Sequence, residues 1–192
     1  MSNITAAFPP TTVMQYTEDL AAKLPAPGGG SAAALNACLG AALMSMALNF
    51  TIGKQKYAKY EDELKKLLEK TEKLRTEFLN LVDLDVEAYK SKDVRNALNV
   101  PFMISRLCFE ASKLLPDLVK KTNQNLISDV AVAAILLEGA FVSAYFNVEI
   151  NLKILGDKKL TWVMRKELLK KAKIIKKMRM ETEEKVGKII RG

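Results

Sequence analysis

The sequence contains no histidine, and this absence limits its chemistry more than any other feature. Without imidazole, the 192-residue chain excludes Ser-His-Asp and Cys-His catalysis and every histidine-ligated metal site. The two cysteines, Cys38 and Cys108, are too far apart in sequence to form a CxxC redox or zinc motif. Chemistry on this chain therefore has to use carboxylates, lysines, hydroxyls, amides or helix ends.

Glycine and proline are also scarce, with nine and six residues respectively. The chain is 49% apolar and 27% charged, which excludes collagen-like repeats and disorder and is sufficient for a sizeable core. No stretch alternates with period two, whereas 3.6-residue periodicity is nearly continuous. The pattern predicts a single all-α domain over residues 1–192, a bundle of about six helices with long central helices and short loops.

The predicted helices cover residues 12–23, 31–53, 57–91, 94–121, 128–153 and 158–191. Ser31 is expected to cap the second helix, and Ser128 with Asp129 the fifth. Pro101 and Pro116 predict kinks or breaks in the fourth. The N-terminal MSNITAAFPP lacks the basic start and apolar run of a signal peptide, so we expect a cytoplasmic protein.

The second helix is apolar nearly all round and approaches the length of a membrane span. Three polar residues, Asn36, Ser45 and Asn49, interrupt it, and no second segment of this kind is evident. We therefore favour a central bundle helix over a membrane span and expect no membrane partner.

The net charge of +8 is concentrated in the C-terminal segment. Residues 158–191 carry 13 basic and four acidic side chains, and the rest of the chain is close to neutral. The same segment has apolar residues at helical spacing and one aromatic, Trp162, too few for base stacking. A long packing helix with a solvated lysine-rich face is favoured. A helical nucleic-acid-binding or scaffold protein without catalytic activity is the alternative of a different class.

Residues Gly28, Gly29, Gly30 and Ser31, here called the glycine segment, precede or begin the second helix. Glycines let the backbone approach a ligand closely, and a helix start offers unpaired N–H groups. No GKS or GKT follows, so the segment is not a phosphate-binding P-loop. Two interpretations stay open: a flexible turn, or a site for an anion or carboxylate.

The segment VDLDVEAY, residues 82–89, places two aspartates on the third helix. At about 100° per residue, Asp85 lies on the apolar arc of Leu67, Phe78 and Leu81, and Asp83 falls outside it. A carboxylate on the buried side is paired, hydrogen-bonded or raised in pKa, and a raised pKa suits proton transfer near neutral pH. A structural pair is the competing interpretation.

The fifth helix carries Asp129, Asn147 and Asn151 on one face. Asp129 and Asn147 are 18 positions apart, about 27 Å along the axis, too far for one small ligand. They serve separate roles, or a second subunit brings them together. The structural alternatives are a charge at the helix start for Asp129 and interhelical hydrogen bonds for the two asparagines.

Four motifs in series resemble the cyclodeaminase/cyclohydrolase family, whose members include the C-terminal domain of formiminotransferase-cyclodeaminase. They are APGGGS followed by an Ala-rich helix and GKQKY, then VDLDVEAY, SDVAVAA, and AYFNVEINL. The resemblance as a whole spans roughly residues 12–185. The segment after Tyr89 looks shorter than is usual in the family, which affects one wall of the site.

The resemblance implies an all-helical, homodimeric folate enzyme that needs no metal and no prosthetic group. Its reaction would convert 5-formiminotetrahydrofolate to 5,10-methenyltetrahydrofolate and ammonia. Methenyltetrahydrofolate cyclohydrolase activity at the same site is the alternative. The resemblance assigns proton transfer to Asp85, or alternatively to Asp83. It places the substrate against Gly28, Gly29, Gly30, Ser31, Lys54, Ser128, Asp129, Asn147 and Asn151.

Overall fold

The computed structural model describes residues 12–192, and the segment 1–11, where the sequence predicts no signal peptide, lies outside them. The described residues form seven α-helices, two short 3₁₀ turns and no strand, which confirms the all-α class. The helices are α1 Val13–Ala21, α2 Gly29–Asn49, α3 Glu61–Lys90, α4 Val94–Ser112, α5 Leu115–Lys121, α6 Ile127–Leu155 and α7 Lys158–Arg191.

The helices α3, α2, α6 and α7 lie side by side in that order, and α4 covers one side of them. Helices α2 and α3 are antiparallel, since Ser31 contacts Asp85 near one end and Ser45 Oγ donates to Thr71 Oγ1 at 2.8 Å further along. Helices α2 and α6 are also antiparallel. Gly29 lies beside Asn147, and at the other end of α2 the Asn123 N–H donates to Thr51 Oγ1 just before α6 begins.

Helix α2 occupies the centre of the bundle because its small residues allow close approach from both neighbours. Ala34, Ala37 and Ala41 are completely buried. Gly40 lies against α6, where an added Cβ would meet Leu137 Cγ at 3.2 Å and the Ala133 carbonyl oxygen at 3.3 Å. This position confirms the prediction of a central bundle helix.

Helix α6 differs from α2 because its outward side is apolar yet exposed. By length and composition alone, both α2 and the segment Gln124–Leu155 could span a membrane, so the expectation of a single such segment was wrong. In α2, 61% of the most apolar 18-residue stretch is buried inside the protein, against 39% of the corresponding stretch in the second segment. The exposed apolar side chains of α6 form one stripe: Val132, Ile135, Val142, Phe146, Ile150 and Ile154.

The basic segment forms α7, a single amphipathic helix capped by Asp157, whose Oδ1 accepts from the Leu160 N–H at 2.9 Å. Its buried residues are Met164, Leu168, Ile175, Thr182 and Val186, and most of its lysines are exposed. The prediction of a packing helix with a solvated lysine-rich face is therefore confirmed.

Two predicted caps were wrong. Helix α2 begins two residues before Ser31, with Gly28 at the N-cap, so Ser31 is the third residue of the helix and is buried. Helix α6 begins at Ile127 and has no side-chain cap, which leaves Asp129 as an acidic residue in its first turn. In both cases the helix begins one or two residues before the serine that was expected to cap it.

The two prolines of the fourth predicted helix behave differently. The helix breaks at residues 113–114, and Pro116 stands in the first turn of α5, where a missing N–H costs nothing. By contrast, α4 continues through Pro101. A proline there leaves the carbonyl four residues earlier, that of Ala97, without its helical donor. The Asn151 Nδ2 of α6 donates to this oxygen at 2.7 Å, which explains why no break occurs.

This compensation predicts a coupled effect of two substitutions. Asn151→Ala should lower the free energy of unfolding by about 1 kcal/mol, because the Ala97 carbonyl loses its donor. In a Pro101→Ala background the new backbone N–H supplies that donor, so the same substitution should cost much less. Denaturant unfolding of the four proteins in the cycle measures the coupling, and equal costs in both backgrounds would contradict it.

Candidate active site

The centre of the site is a contact between the first turn of α2 and one carboxylate of α3. The Ser31 N–H donates to Asp85 Oδ2 at 2.8 Å. This N–H belongs to the first helical turn, where backbone donors have no intrahelical acceptor. A carboxylate also interacts favourably with the positive end of the helix dipole. Asp85 therefore takes the part that a capping side chain would normally play, from a distant position in sequence.

Gly30 makes this contact possible because it has no side chain. A Cβ at position 30 would lie 2.5 Å from Asp85 Cγ and 2.7 Å from Asp85 Oδ2, closer than real Cβ atoms approach. Gly28 has nothing within 4 Å of its corresponding position. Of these two glycines, only Gly30 has to lack a side chain. The Asp85 carboxylate occupies the position that a Cβ at residue 30 would take.

Tyr16 on α1 is a member of the site that the sequence analysis missed. Its hydroxyl lies 3.0 Å from Ser31 Oγ, so Ser31 connects α1 through its side chain and α3 through its N–H. No residue of α1 is fully buried, and Tyr16 is one of its half-buried residues. The sequence predicted this helix but did not indicate which of its residues reaches α2.

The electrostatics of the site favour neutral side chains. Burial raises the pKa of Asp85 above the ordinary value of a carboxyl group, and the hydrogen bond from Ser31 offsets part of that rise. Burial also raises the pKa of Tyr16, with a further contribution from the charge of Asp85. A carboxyl group raised in this way exchanges a proton more readily near neutral pH than an exposed aspartate does.

Asp83 lies next to the buried Val82 on α3, and its environment differs from that of Asp85. It is half-buried, and its pKa is raised by burial and by the neighbouring charge of Glu87. Its carboxylate makes no hydrogen bond to the glycine segment, whereas that of Asp85 does. The assignment of proton transfer to either residue stays a prediction, and the geometry favours Asp85.

The two asparagines of α6 lie at the same end of the bundle as Asp85. Asn147 packs on Gly29, where an added Cβ would meet Asn147 Nδ2 at 3.3 Å, and it donates to its own helix at Ser143 O. Asn151, one turn further on, lines an open groove of about 580 Å³. The groove, as this cavity is called below, is lined by Pro25, Ala88, Tyr89, Lys90, Lys92, Asp93, Val94, Ala97 and Asn151.

The remaining predicted substrate residues lie at the opposite end of the bundle. Lys54 follows the C-terminal end of α2, and Ser128 and Asp129 stand in the first turn of α6. Since α2 has 21 residues, this end is about 30 Å from Asp85 within one chain. A single protomer therefore does not bring the two groups together, and their roles in substrate binding stay predictions.

The arrangement supports proton transfer by Asp85, which is half-buried near the open groove. It offers one carboxyl group with a raised pKa, one tyrosine hydroxyl, one serine hydroxyl and several amides. Within residues 12–192, no cluster of three or more histidine, cysteine, aspartate or glutamate side chains is placed to hold a metal ion.

A model of the formiminotransferase-cyclodeaminase family matches residues 12–94 and 90–170. The chain belongs to this family, as its four motifs predicted.

The similar proteins carry two activities. The chain is 36% identical over 180 residues to methenyltetrahydrofolate cyclohydrolase of Methylorubrum extorquens, covering 82% of this chain and 86% of that protein. It is 30% identical over 170 residues to mouse formimidoyltransferase-cyclodeaminase, covering 77% of this chain but only 31% of that longer protein. The crystal structure of formiminotetrahydrofolate cyclodeaminase from Thermotoga maritima superposes with a TM-score of 0.80, at 27% identity, over 95% of this chain and 96% of that one.

The contact at Gly30 predicts an asymmetry between neighbouring glycines. Gly30→Ala should displace the Asp85 carboxylate, lowering the melting temperature by several degrees and removing most activity, because the new methyl group occupies the carboxylate's place. Gly28→Ala is the matched control for stability, since its backbone is extended and its surroundings are open. Equal melting temperatures for the two variants would contradict the tight contact.

Proposed function

We propose that this chain is a methenyltetrahydrofolate cyclohydrolase, which adds water to the bridging carbon of 5,10-methenyltetrahydrofolate and yields 10-formyltetrahydrofolate. The single observation that carries the chemistry is Asp85, half-buried at the N-terminus of α2 with a raised pKa. The choice of this reaction is supported by the similarity to the cyclohydrolase of Methylorubrum extorquens, which covers most of both chains.

In this mechanism Asp85 acts first as a base and then as an acid. Ionised Asp85 takes a proton from water as the water oxygen bonds to the methenyl carbon. Protonated Asp85 then returns a proton to N5 as the bond between that carbon and N5 breaks. The hydroxyl on the carbon loses its proton to solvent, which leaves the formyl group on N10 and releases one proton overall.

Formiminotetrahydrofolate cyclodeaminase is the second candidate, favoured by the superposition on the Thermotoga maritima enzyme over nearly the whole chain. Here N10 bonds to the formimino carbon and gives its proton to Asp85. The formimino nitrogen takes that proton and a second one from solvent, so that it departs as ammonia, and the 5,10-methenyltetrahydrofolate cation remains. Both reactions need one group that accepts a proton and returns it at the same carbon.

We also propose that the enzyme works as a homodimer joined through the outward side of α2 and α6. This side carries exposed apolar residues that include Leu39 of α2 and the stripe of α6. A two-fold interface between antiparallel helices is self-complementary. It would bring the Lys54 and Asp129 end of one copy toward the Asp85 end of the other, which accounts for two groups of predicted residues at opposite ends.

An assay with each substrate, following the absorbance of the methenyl compound, tests the proposed reaction. Asp85→Asn should lower kcat/KM at least about 100-fold, because the amide cannot carry the proton. Asp83→Asn separates the two candidate aspartates and should stay within a few-fold of the unaltered enzyme. Activity on neither substrate would contradict the proposal, and a large loss in Asp83→Asn alone would move the proton transfer to that residue.

The raised pKa of Asp85 also has consequences for pH dependence. The acid limb of kcat/KM should lie above the pKa of an ordinary aspartate, about 3.9, because the ionised form is the base. Folding raises the pKa of Asp85. Its contribution to the free energy of unfolding therefore declines as the pH rises through its pKa in the folded protein. Asp85→Asn should therefore keep or raise the melting temperature at neutral pH, and a sharp drop would indicate a purely structural carboxylate.

Sedimentation velocity tests the proposed dimer. Ile135→Lys places a charge within the exposed stripe on α6 and should convert the dimer to a monomer without unfolding it. Leu169→Lys makes the same change at a comparably exposed position on α7 and should leave the dimer intact. A monomeric unaltered protein, or a dimer unaffected by Ile135→Lys, would contradict the proposed interface.

A further inference from the structure

The turn between α3 and α4 has a backbone conformation that its sequence does not favour. Lys92 has φ of +57°, the left-handed region in which glycine and asparagine are normally found. It is the one residue other than glycine with positive φ among residues 12–192. Strained positions of this kind are concentrated at functional sites, where the side chain has a use that offsets the strain. Lys92 is one of the residues that line the groove.

The groove lies about one helical turn beyond the candidate active site on two helices. Ala88 and Tyr89 of its wall are one helical turn beyond Asp85 on α3. Asn151 is one turn beyond Asn147 on α6, and Asn147 packs on Gly29 of the glycine segment. A ligand whose reacting carbon lies at Asp85 therefore extends naturally into the groove.

The charges of the groove favour an anion. Lys90 and Lys92 contribute two positive charges, and Asp93 contributes one negative charge. The Asp93 carboxylate already caps α4, since its Oδ1 accepts from the Arg95 N–H at 2.8 Å. Lys92 is largely exposed, and within the described part of the chain its ammonium group has no carboxylate partner. Tyr89, 57% exposed, adds an aromatic face on the same wall.

We infer that the groove binds the anionic end of the folate substrate, with Lys92 holding a carboxylate of the glutamate tail and Tyr89 lying against the aminobenzoyl ring. This inference rests on the proposed function and deepens it. A folate carries its glutamate beyond one aromatic ring from N10. The rise from Asp85 to Lys90, about 7.5 Å, places the lysines at the far end of such a ring. Lys92 is thus a specificity residue, remote from the reacting carbon.

Equilibrium binding of a stable folate provides the test. The dissociation constants of 5-formyltetrahydrofolate and of the N-methylamide of 5-formyltetrahydropteroate, which lacks glutamate and carries no carboxylate, are measured by calorimetry for each protein. The unaltered chain should prefer the glutamate form. Lys92→Gly should weaken binding of that form roughly three- to tenfold, as expected for one partly exposed ion pair, and leave binding of the pteroate amide unchanged. Because glycine suits a positive φ, this variant should melt no lower than the unaltered protein.

Two further variants complete the experiment. Lys92→Arg keeps the charge and should retain the preference for glutamate. Lys66→Ala removes an equal charge from the opposite end of α3, about 36 Å away, and should bind both compounds as the unaltered protein does. An unchanged preference in Lys92→Gly, or no preference in the unaltered chain, overturns the inference about the groove. Binding of neither compound by the unaltered chain would instead overturn the proposed folate function.

Discussion

One steric constraint organises this protein: a carboxylate occupies the space that a side chain at position 30 would fill. Because Gly30 has no Cβ, Asp85 comes close enough to accept the Ser31 N–H in the first turn of α2. The contact joins α2 to α3 and partly shields Asp85 from water. The same burial raises its pKa, so the packing of two helices and the chemistry of the site have a common cause.

The rest of the bundle holds that contact at one end and opens a groove beside it. Helix α6 runs antiparallel to α2 and brings Asn147 to Gly29 and Asn151 to Ala97. The second contact supplies the donor that Pro101 withholds, so α4 stays continuous along the wall of the groove. Antiparallel packing also separates the two groups of motif residues by the length of α2, and this separation is the reason that we consider a second copy of the chain.

Much of the fold follows from local pattern, and the exceptions have specific physical causes. Periodicity predicted the helices well, and angular position alone placed Asp85 on the inner side of α3. Ser31 was assigned as a cap because serine commonly caps, but its N–H finds a carboxylate 54 residues away, which no local pattern records. The effect of Pro101 likewise depends on a distant asparagine. Tyr16 and the groove arise from tertiary packing, so sequence periodicity could not predict them.

The central claim is that Asp85 acts on the one-carbon unit of a folate. A crystal structure of the protein with bound 5-formyltetrahydrofolate tests it most directly. We predict the formyl group beside the Asp85 carboxyl group, within reach of a direct or water-mediated hydrogen bond, with the pterin passing along the glycine segment. A folate bound with its one-carbon unit away from every Asp85 carboxylate in the assembly would contradict the account.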